Sequence, residues 1–204
     1  MATINLQKGQ KIDLTKGNPG LSKIMVGLGW DEVAKPKSGG LLGSLFGGGS
    51  SAAIDCDASA ILLNDQNKLT SKERLVYFGN LQSADKSVKH TGDNLTGAGE
   101  GDDEQIQVDL SNVPSDVHKI VFVVNIYDAI KRKQDFGLIA NAFIRVVNPV
   151  NNQEFCRFNL TESYAGRTSL VVAEVYRHNN EWKFAAIGEG SNDASLSELV
   201  RRYQ

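Results

Sequence analysis

Apolar and polar residues alternate one by one along most of this chain, which is the period of a half-buried β-strand rather than of a helix. In "DEQIQVDL", residues 103–110, the apolar residues Ile106, Val108 and Leu110 are separated by polar ones. The same period returns in many short segments from residue 3 to residue 190. The pattern predicts a mostly β protein.

Three segments depart from this alternation. "KIVFVVNIYDA", residues 119–129, is apolar almost throughout, which is typical of a strand buried on both faces. "SLSELVRRY" near the C-terminus places Ser195 three residues before Glu198, a capping box that predicts one short helix. The intervening "IKRKQDFG", residues 130–137, is interpreted as a polar connection.

A glycine- and serine-rich tract occupies residues 36–53, with Leu41, Leu42, Leu45 and Phe46 as its bulky members. Such a composition favours a flexible loop between two strands. The exposed apolar group keeps a second interpretation open, that of a docking finger. The total of 204 residues fits one domain, so the chain is predicted to form a single domain over 1–204 with this tract as an insertion.

Composition excludes several classes of protein. The formal charge of −2 does not suit a general nucleic-acid binder, which needs a basic surface. The first residues show no secretory signal, and only two cysteines occur, Cys56 and Cys156, so we expect a cytoplasmic protein with reduced thiols. These cysteines show no zinc spacing with the three histidines.

The segment "IDCDASAILL", residues 54–63, is predicted to be a strand with two carboxylates on one side. Ile54, Cys56 and Ala58 fall on one face, while Asp55 and Asp57 fall on the other. Residues two apart on a strand are separated by about 7 Å. Both carboxylates can therefore reach the same ion.

A second acidic segment, "KHTGDNLTGAGEGDDEQI" at residues 89–106, is rich in oxygen-bearing side chains and glycine. An EF-hand loop is excluded, because Leu95, Gly97 and Ala98 would stand where that loop needs two oxygen ligands and a glycine. The segment is either a solvated acidic turn or, together with Asp55 and Asp57, a cage for a divalent cation. Calcium is favoured over magnesium because the candidate ligands are many and flexible.

Six segments in order resemble the TerD family of bacterial tellurite-resistance and stress proteins, over nearly the whole chain. They are "LSKIMVGLGWD", "IDCDASAILL", "HTGDNLTGAGEGDDEQI", "KIVFVVNIYDA", "FGLIANAFIRVVN" and "VYRHNNEWKFAAIGEG". The resemblance implies an all-β fold, a two-sheet antiparallel β-sandwich similar in shape to C2 domains. It also implies calcium held by acidic loops and a role in resistance to tellurite and other stresses. The 36–53 tract and Cys56 depart from the family pattern.

Carried onto this sequence, the resemblance implies a calcium-ligand set from both acidic segments. Its side-chain members are Asp55, Asp57, Asp93, Asn94, Asp102, Asp103 and Glu104. Backbone carbonyls near Thr96, Gly97 and Gly99 are further candidates. Asp31 and Asp128 end predicted strands and are second-tier candidates, as ligands or as turn-formers.

The residues and the resemblance together favour a non-enzymatic calcium-binding module of the stress response. Its expected partners are other stress-response proteins or copies of the same chain, and not nucleic acid. Contact with a membrane surface stays open, although no basic patch in the sequence supports it. One alternative is a metal-dependent hydrolase or phosphoryl-transfer enzyme that uses the clustered Asp residues, with His90 as the nearby base. Another is direct thiol chemistry on tellurite by Cys56 and Cys156.

Overall fold

The structure, a computed structural model, describes residues 2–33, 53–92 and 101–204. Within these ranges twelve strands form: β1 Ile4–Leu6, β2 Lys11–Asp13, β3 Lys23–Glu32, β4 Cys56–Leu63, β5 Leu75–Val76, β6 Val88–His90, β7 Glu104–Asp109, β8 Lys119–Ile126, β9 Ile139–Asn148, β10 Gln153–Asn159, β11 Ser169–His178 and β12 Glu181–Ser191. Two short α-helices accompany them, α1 Ala129–Arg132 and α2 Leu196–Val200. Single 3-10 turns lie at Lys72–Arg74, Phe136–Leu138 and Arg201–Tyr203.

The strands form two six-stranded sheets. Sheet A has the order β1-β10-β9-β3-β7-β6, and sheet B has the order β2-β12-β11-β8-β4-β5. All pairs are antiparallel except β1 and β10, where Ile4 pairs with Cys156 in parallel. The long stretch of chain between these two strands permits a parallel pair, which a short hairpin cannot join. The predicted two-sheet β-sandwich with a short C-terminal helix is confirmed.

The main core lies between the two sheets, where alternate apolar residues of each strand meet. On β7, Ile106 and Val108 face this core and are fully buried. Both tryptophans, Trp30 and Trp182, belong to it. Cys56 and Cys156 are buried in it as free thiols. The apolar residues of the one-by-one alternation are thus those that face the core between the two sheets.

A second, smaller core covers the outer face of sheet B. Leu199 and Val200 of α2 pack there against Ile61 and Leu63 of β4 and neighbouring residues of β8. Every residue of β4 is therefore buried, whereas the alternation in 54–63 predicts a strand with only one buried face. The helix itself begins as predicted, because the Ser195 side chain accepts a hydrogen bond from the Glu198 N–H.

Two short elements were absent from the sequence prediction. The helix α1 begins within the predicted polar connection, after Asp128, which has a left-handed backbone conformation with φ of 52°. The strand β6 has three residues and pairs with β7 through His90 and Ile106. Elements of three or four residues are too short to show a period.

The predicted 36–53 insertion lies outside the described residues except for Ala53. In the described ranges, no helix combines the length and the apolar character needed to cross a membrane.

Candidate functional site

One end of the sandwich gathers the acidic segments. We call it the acidic end: there β3 and β8 finish, and β4, β7 and β9 begin. Leu28 near the end of β3 pairs with Glu104 at the start of β7, and Cys56 at the start of β4 pairs with Ile126 at the end of β8. The backbone N–H of Ile54 also donates to the Glu32 carboxylate at 2.6 Å, which joins the two sheets at this end.

The Glu104 carboxylate is buried between the sheets, with 2% of the residue exposed. Its Oε2 accepts a hydrogen bond from the backbone N–H of Ala58 at 2.6 Å. Glu104 belongs to sheet A and Ala58 to sheet B. A single carboxylate therefore bridges the two acidic segments of the sequence, one residue away from Asp57.

His90 supports this carboxylate from β6. Its Nδ1 accepts a hydrogen bond from the Gly92 N–H at 3.1 Å, so its proton is on Nε2. Nε2 lies 3.3 Å from Glu104 Oε2 and donates to it. Because the ring is buried, these contacts hold Gly92 and Glu104, on the two sides of the acidic loop, in a fixed relation.

Asp57 is also buried, with 4% of the residue exposed. It pairs with Asn125 across β4 and β8, and Asn125 Nδ2 donates to its Oδ2 at 3.4 Å. The exposed side chains of Phe78 and Tyr127 line the same groove on the outer face of sheet B. Asp57 thus lies at the floor of a groove that opens at the acidic end.

Asp103 is fixed to the end of β3. Its backbone N–H donates to the Leu28 carbonyl at 2.8 Å, and its Oδ2 accepts the Trp30 N–H at 2.7 Å. Burial raises the pKa of Asp103 in spite of the Trp30 hydrogen bond, and the charges of Asp31 and Asp102 raise it further. A cation beside Asp103 would stabilise its charged form.

Four predicted ligands lie close enough to Cys56 to raise the pKa of its thiol. The pKa of Cys56 is raised well above its usual value, first by burial and then by nearby negative charges. Those charges are, in order of effect, Asp57, Asp55, Glu104 and Asp103. These carboxylates therefore lie at the same end of the molecule, with Glu104 between the sheets and Asp57 on the outer face of sheet B.

Asp102 does not join this group. Its carboxylate lies on the outer face of sheet A and accepts two hydrogen bonds from Arg145, at 2.7 Å and 2.9 Å. Gln105 donates a third at 3.1 Å. Both oxygens of this predicted ligand are thus engaged by protein donors.

Three predicted ligands lie around the rim of the acidic end, and one of them, Asp55, also belongs to the group that affects Cys56. Asp31 accepts a hydrogen bond from Asn141 at 2.8 Å, and Asp128 lies 3.7 Å from the Lys131 amine. Asp55 Oδ2 is 3.7 Å from the Arg132 guanidinium. All three carboxylates therefore have contacts at the rim.

The remaining predicted ligands lie outside the described residues: Asp93, Asn94, Thr96, Gly97 and Gly99. Within 2–33, 53–92 and 101–204, no three His, Cys, Asp or Glu side chains are placed so that they could hold a metal ion. A metal ion at this end would therefore need further oxygen donors. The acidic side chains that the structure describes there are carboxylates, the ligand type that calcium prefers.

Comparison with known protein families gives a match over almost the whole chain. The TerD domain family matches residues 1–203. The chain belongs to the TerD family. Stress response protein SCP2 of Bacillus subtilis (strain 168) is 59% identical to it over 200 residues, 98% of each chain. Tellurium resistance protein TerD of Serratia marcescens is 44% identical over 188 residues, 92% of this chain and 91% of that protein.

A solved structure supports the fold of this TerD-family chain. The crystal structure of the unknown function protein SAV2460 superposes with a TM-score of 0.69 at 20% identity, over 91% of this chain and 99% of that one. At this identity the match concerns the fold alone. The chain is thus a member of a family whose named relatives act in the stress response and in tellurium resistance.

Sequence reasoning gave one residue of the site a different role and missed another. His90 was named as the base of the hydrolase alternative, whereas in the structure it hydrogen-bonds a predicted ligand. Asn125, which donates to Asp57, was not identified, although a polar residue inside the apolar run 119–129 is a signal that could have found it. Within the described part of the chain Asn125 Oδ1 is buried without a hydrogen-bond partner, which also draws attention to this residue.

Proposed function

We propose that this TerD-family protein binds calcium at the acidic end and acts in the stress response as a non-enzymatic binding module. The observation that carries the proposal is the Glu104–Ala58 hydrogen bond, which joins the acidic segment of sheet A to the strand that bears Asp57 in sheet B. Two nearly buried carboxylates, Glu104 and Asp57, therefore belong to the same end of the molecule.

Electrostatics supports a cation at this end. Buried carboxylates are costly to ionise, and each raises the cost of ionising the next. Four carboxylates raise the pKa of the Cys56 thiol, of which Asp57 and Glu104 are buried, and burial raises the pKa of Asp103. A divalent cation would offset this repulsion, and oxygen-only donors favour calcium over softer metals.

We assign the ligand role to Asp55, Asp57, Asp103 and Glu104, with the other oxygens from residues 93–100. Asp93, Asn94, Thr96, Gly97 and Gly99 remain the candidates there. Asp102 is not assigned, because its hydrogen bonds with Arg145 account for both oxygens. Calcium would supply charge neutralisation and a link between the sheets.

The contacts of His90 support a binding role over hydrolysis. A metal-dependent hydrolase needs a base within reach of its nucleophile. His90 is the histidine beside the acidic loop, and its two ring nitrogens are engaged by Gly92 and Glu104. The free, buried thiols of Cys56 and Cys156 accord with a cytoplasmic location and argue against thiol chemistry on tellurite.

The partners that we propose are other stress-response proteins and further copies of the chain. They would bind the calcium-loaded form, in which the repulsion of the acidic end is relieved. The names of the relatives, which refer to stress response and tellurium resistance, support this setting.

The test is calorimetric titration of chelator-stripped protein with calcium and with magnesium, together with thermal unfolding. At a calcium concentration about one hundred times Kd, binding stabilises the fold by about 2.7 kcal/mol. For a chain of this length that corresponds to a rise in Tm of roughly 5–10 °C. Asp57→Asn and Glu104→Gln should each reduce the heat released or absorbed on calcium binding, and each should reduce the rise in Tm that calcium causes.

Asp102→Asn is the matched control. It also removes one negative charge from the "GDDE" segment, at a carboxylate that Arg145 holds on the other face of the sheet. Its calcium affinity should equal that of the wild type even if its Tm without calcium falls. Absence of a calcium heat in the wild type, or equal loss in Asp102→Asn and Asp57→Asn, would contradict the proposed site.

A further inference from the structure

Exposed apolar side chains are concentrated at the acidic end. In the described part of the chain, eight large apolar side chains are exposed. Five of them lie at this end: Val33, Phe78, Tyr127, Ile130 and Leu138. Single exposed apolar residues are normal on protein surfaces, but their concentration at one end marks an interaction surface.

Backbone and groove contacts establish where these residues lie. Val33 directly follows β3, and its N–H donates to the Leu138 carbonyl at 2.9 Å, just before β9. Phe78 and Tyr127 line the groove that contains Asp57. Ile130 lies three residues beyond Tyr127, on α1, and is 66% exposed.

Three consecutive cations stand beside Ile130. The Lys131 side chain is 83% exposed, and Lys133 is exposed as well. The guanidinium of Arg132 lies over the Tyr127 ring, 5.0 Å from its centroid. The segment 127–133, in which Asp128 lies 3.7 Å from the Lys131 amine, therefore presents apolar side chains together with a net positive charge.

We propose that the acidic end docks on an anionic lipid surface, with Tyr127 and Ile130 entering the interface and Lys131 to Lys133 contacting the headgroups. A mixture of apolar side chains and adjacent cations is the composition of membrane-surface segments. A protein interface is a poorer match, because lysine is depleted from the buried centre of such interfaces.

The surface lies beyond the assigned calcium ligands, although the Arg132 guanidinium is 3.7 Å from one of them, Asp55. Lipid docking rests on the proposed function in one respect. The carboxylates at the same end repel an anionic surface, and bound calcium would neutralise them. Calcium should therefore strengthen lipid binding, and chelator should weaken it without abolishing it.

The experiment is co-sedimentation of the full chain with vesicles, in calcium and in chelator. One set of vesicles is phosphatidylcholine alone, and the other contains about one third phosphatidylglycerol. Binding is expected to the anionic vesicles and to fall in high salt. Replacing Lys131 and Lys133 together by Ala should lower the partition coefficient roughly 25-fold, since each cation near the surface contributes about fivefold.

Ile130→Ala should lower the partition coefficient about tenfold, from the loss of inserted apolar surface. Val150→Ala is the matched control. Val150 is 87% exposed, and it lies in the turn between β9 and β10, at the opposite end of the sandwich. Its removal should leave lipid binding unchanged.

Each outcome has a definite meaning. Equal partition into both kinds of vesicle, or equal effects of Ile130→Ala and Val150→Ala, overturns the lipid inference. Self-association that Ile130→Ala weakens, without vesicle binding, would also overturn it and make this end a contact between copies. A calorimetric calcium signal without vesicle binding removes the lipid inference alone, whereas calcium-independent vesicle binding with no calcium heat removes the calcium proposal alone.

Discussion

Arg145 holds the carboxylate of Asp102 with two hydrogen bonds, from Nε at 2.7 Å and from Nη2 at 2.9 Å. The Asp102 side chain is fully buried in this pair. Gly27 makes room for it, because a Cβ there would lie 2.3 Å from the carboxylate. Asp102 is therefore held on the outer face of sheet A. The two acidic residues that follow it bond elsewhere, Asp103 to the Trp30 N–H and Glu104 to the Ala58 N–H.

Arg145→Met should lower the free energy of unfolding by about 3 kcal/mol, because it leaves the Asp102 charge buried without its counter-ion. Urea unfolding at neutral pH measures this change. The double variant Arg145→Met with Asp102→Leu should recover most of the loss, since both charges are then gone. Strict additivity of the two substitutions would show that the pair is not coupled.

The same network makes the fold sensitive to acid through Glu154. Burial alone would raise the pKa of Glu154, but hydrogen bonds from Arg157 and Arg145 outweigh it and hold this pKa below its usual value of 4.5. The unfolded chain therefore binds a proton first, so this stabilisation is present above about pH 4.5 and is lost as the pH falls further. Glu154→Gln should flatten the fall in stability over that range. An unchanged pH profile of the free energy of unfolding would contradict this role.

His90 offers a way to separate the positioning of Glu104 from simple packing. His90→Gln keeps a donor for Glu104, and His90→Asn keeps an acceptor for the Gly92 N–H. At the proposed calcium site, loss of a group that orients a ligand lowers affinity about 10–100-fold. Calorimetry should thus show weak calcium binding for His90→Ala and His90→Asn and partial rescue in His90→Gln. Equal affinities in all three variants would leave His90 with a packing role only.

Both thiols should be inert in the folded protein. Burial raises the pKa of Cys156 from 9.0 to about 12, so the thiol stays protonated at pH 8. A disulfide reagent should label neither cysteine in native buffer and both in urea.

The unfolded chain also releases the Cys156 proton at lower pH than the folded one. Stability should therefore fall as the pH rises from about 9 towards 12. Cys156→Ala should reduce this slope. Fast labelling of native protein at pH 8 would revive thiol chemistry as a function.

The strands could be predicted because each face of a strand meets one environment. The alternation in β7 and the continuous apolar run of β8 both follow directly from the layers that cover them. The covering of β4 on both faces could not be predicted, since the helix that covers it comes from the end of the chain. A sequence shows the period of a strand but not what packs on its polar side.

The acidic residues 102–104 show the same limit within three positions. Their run of charge is visible in the sequence and predicts a site at this end. Yet Asp102 bonds to Arg145, Asp103 to the Trp30 backbone and Glu104 to His90. Their partners come from three other strands. Composition alone therefore could not show that Asp102 has a structural role different from those of Asp103 and Glu104.

The order of strands has a consequence for how the chain is made. The first two strands each form an edge of one sheet, β1 against β10 in sheet A and β2 against β12 in sheet B. During synthesis both strands therefore emerge from the ribosome long before their partner strands have been made. Pairings between strands so distant along the chain form slowly. A ribosome that stalls before β10 releases a chain with both sheets unfinished and their edges open to other chains.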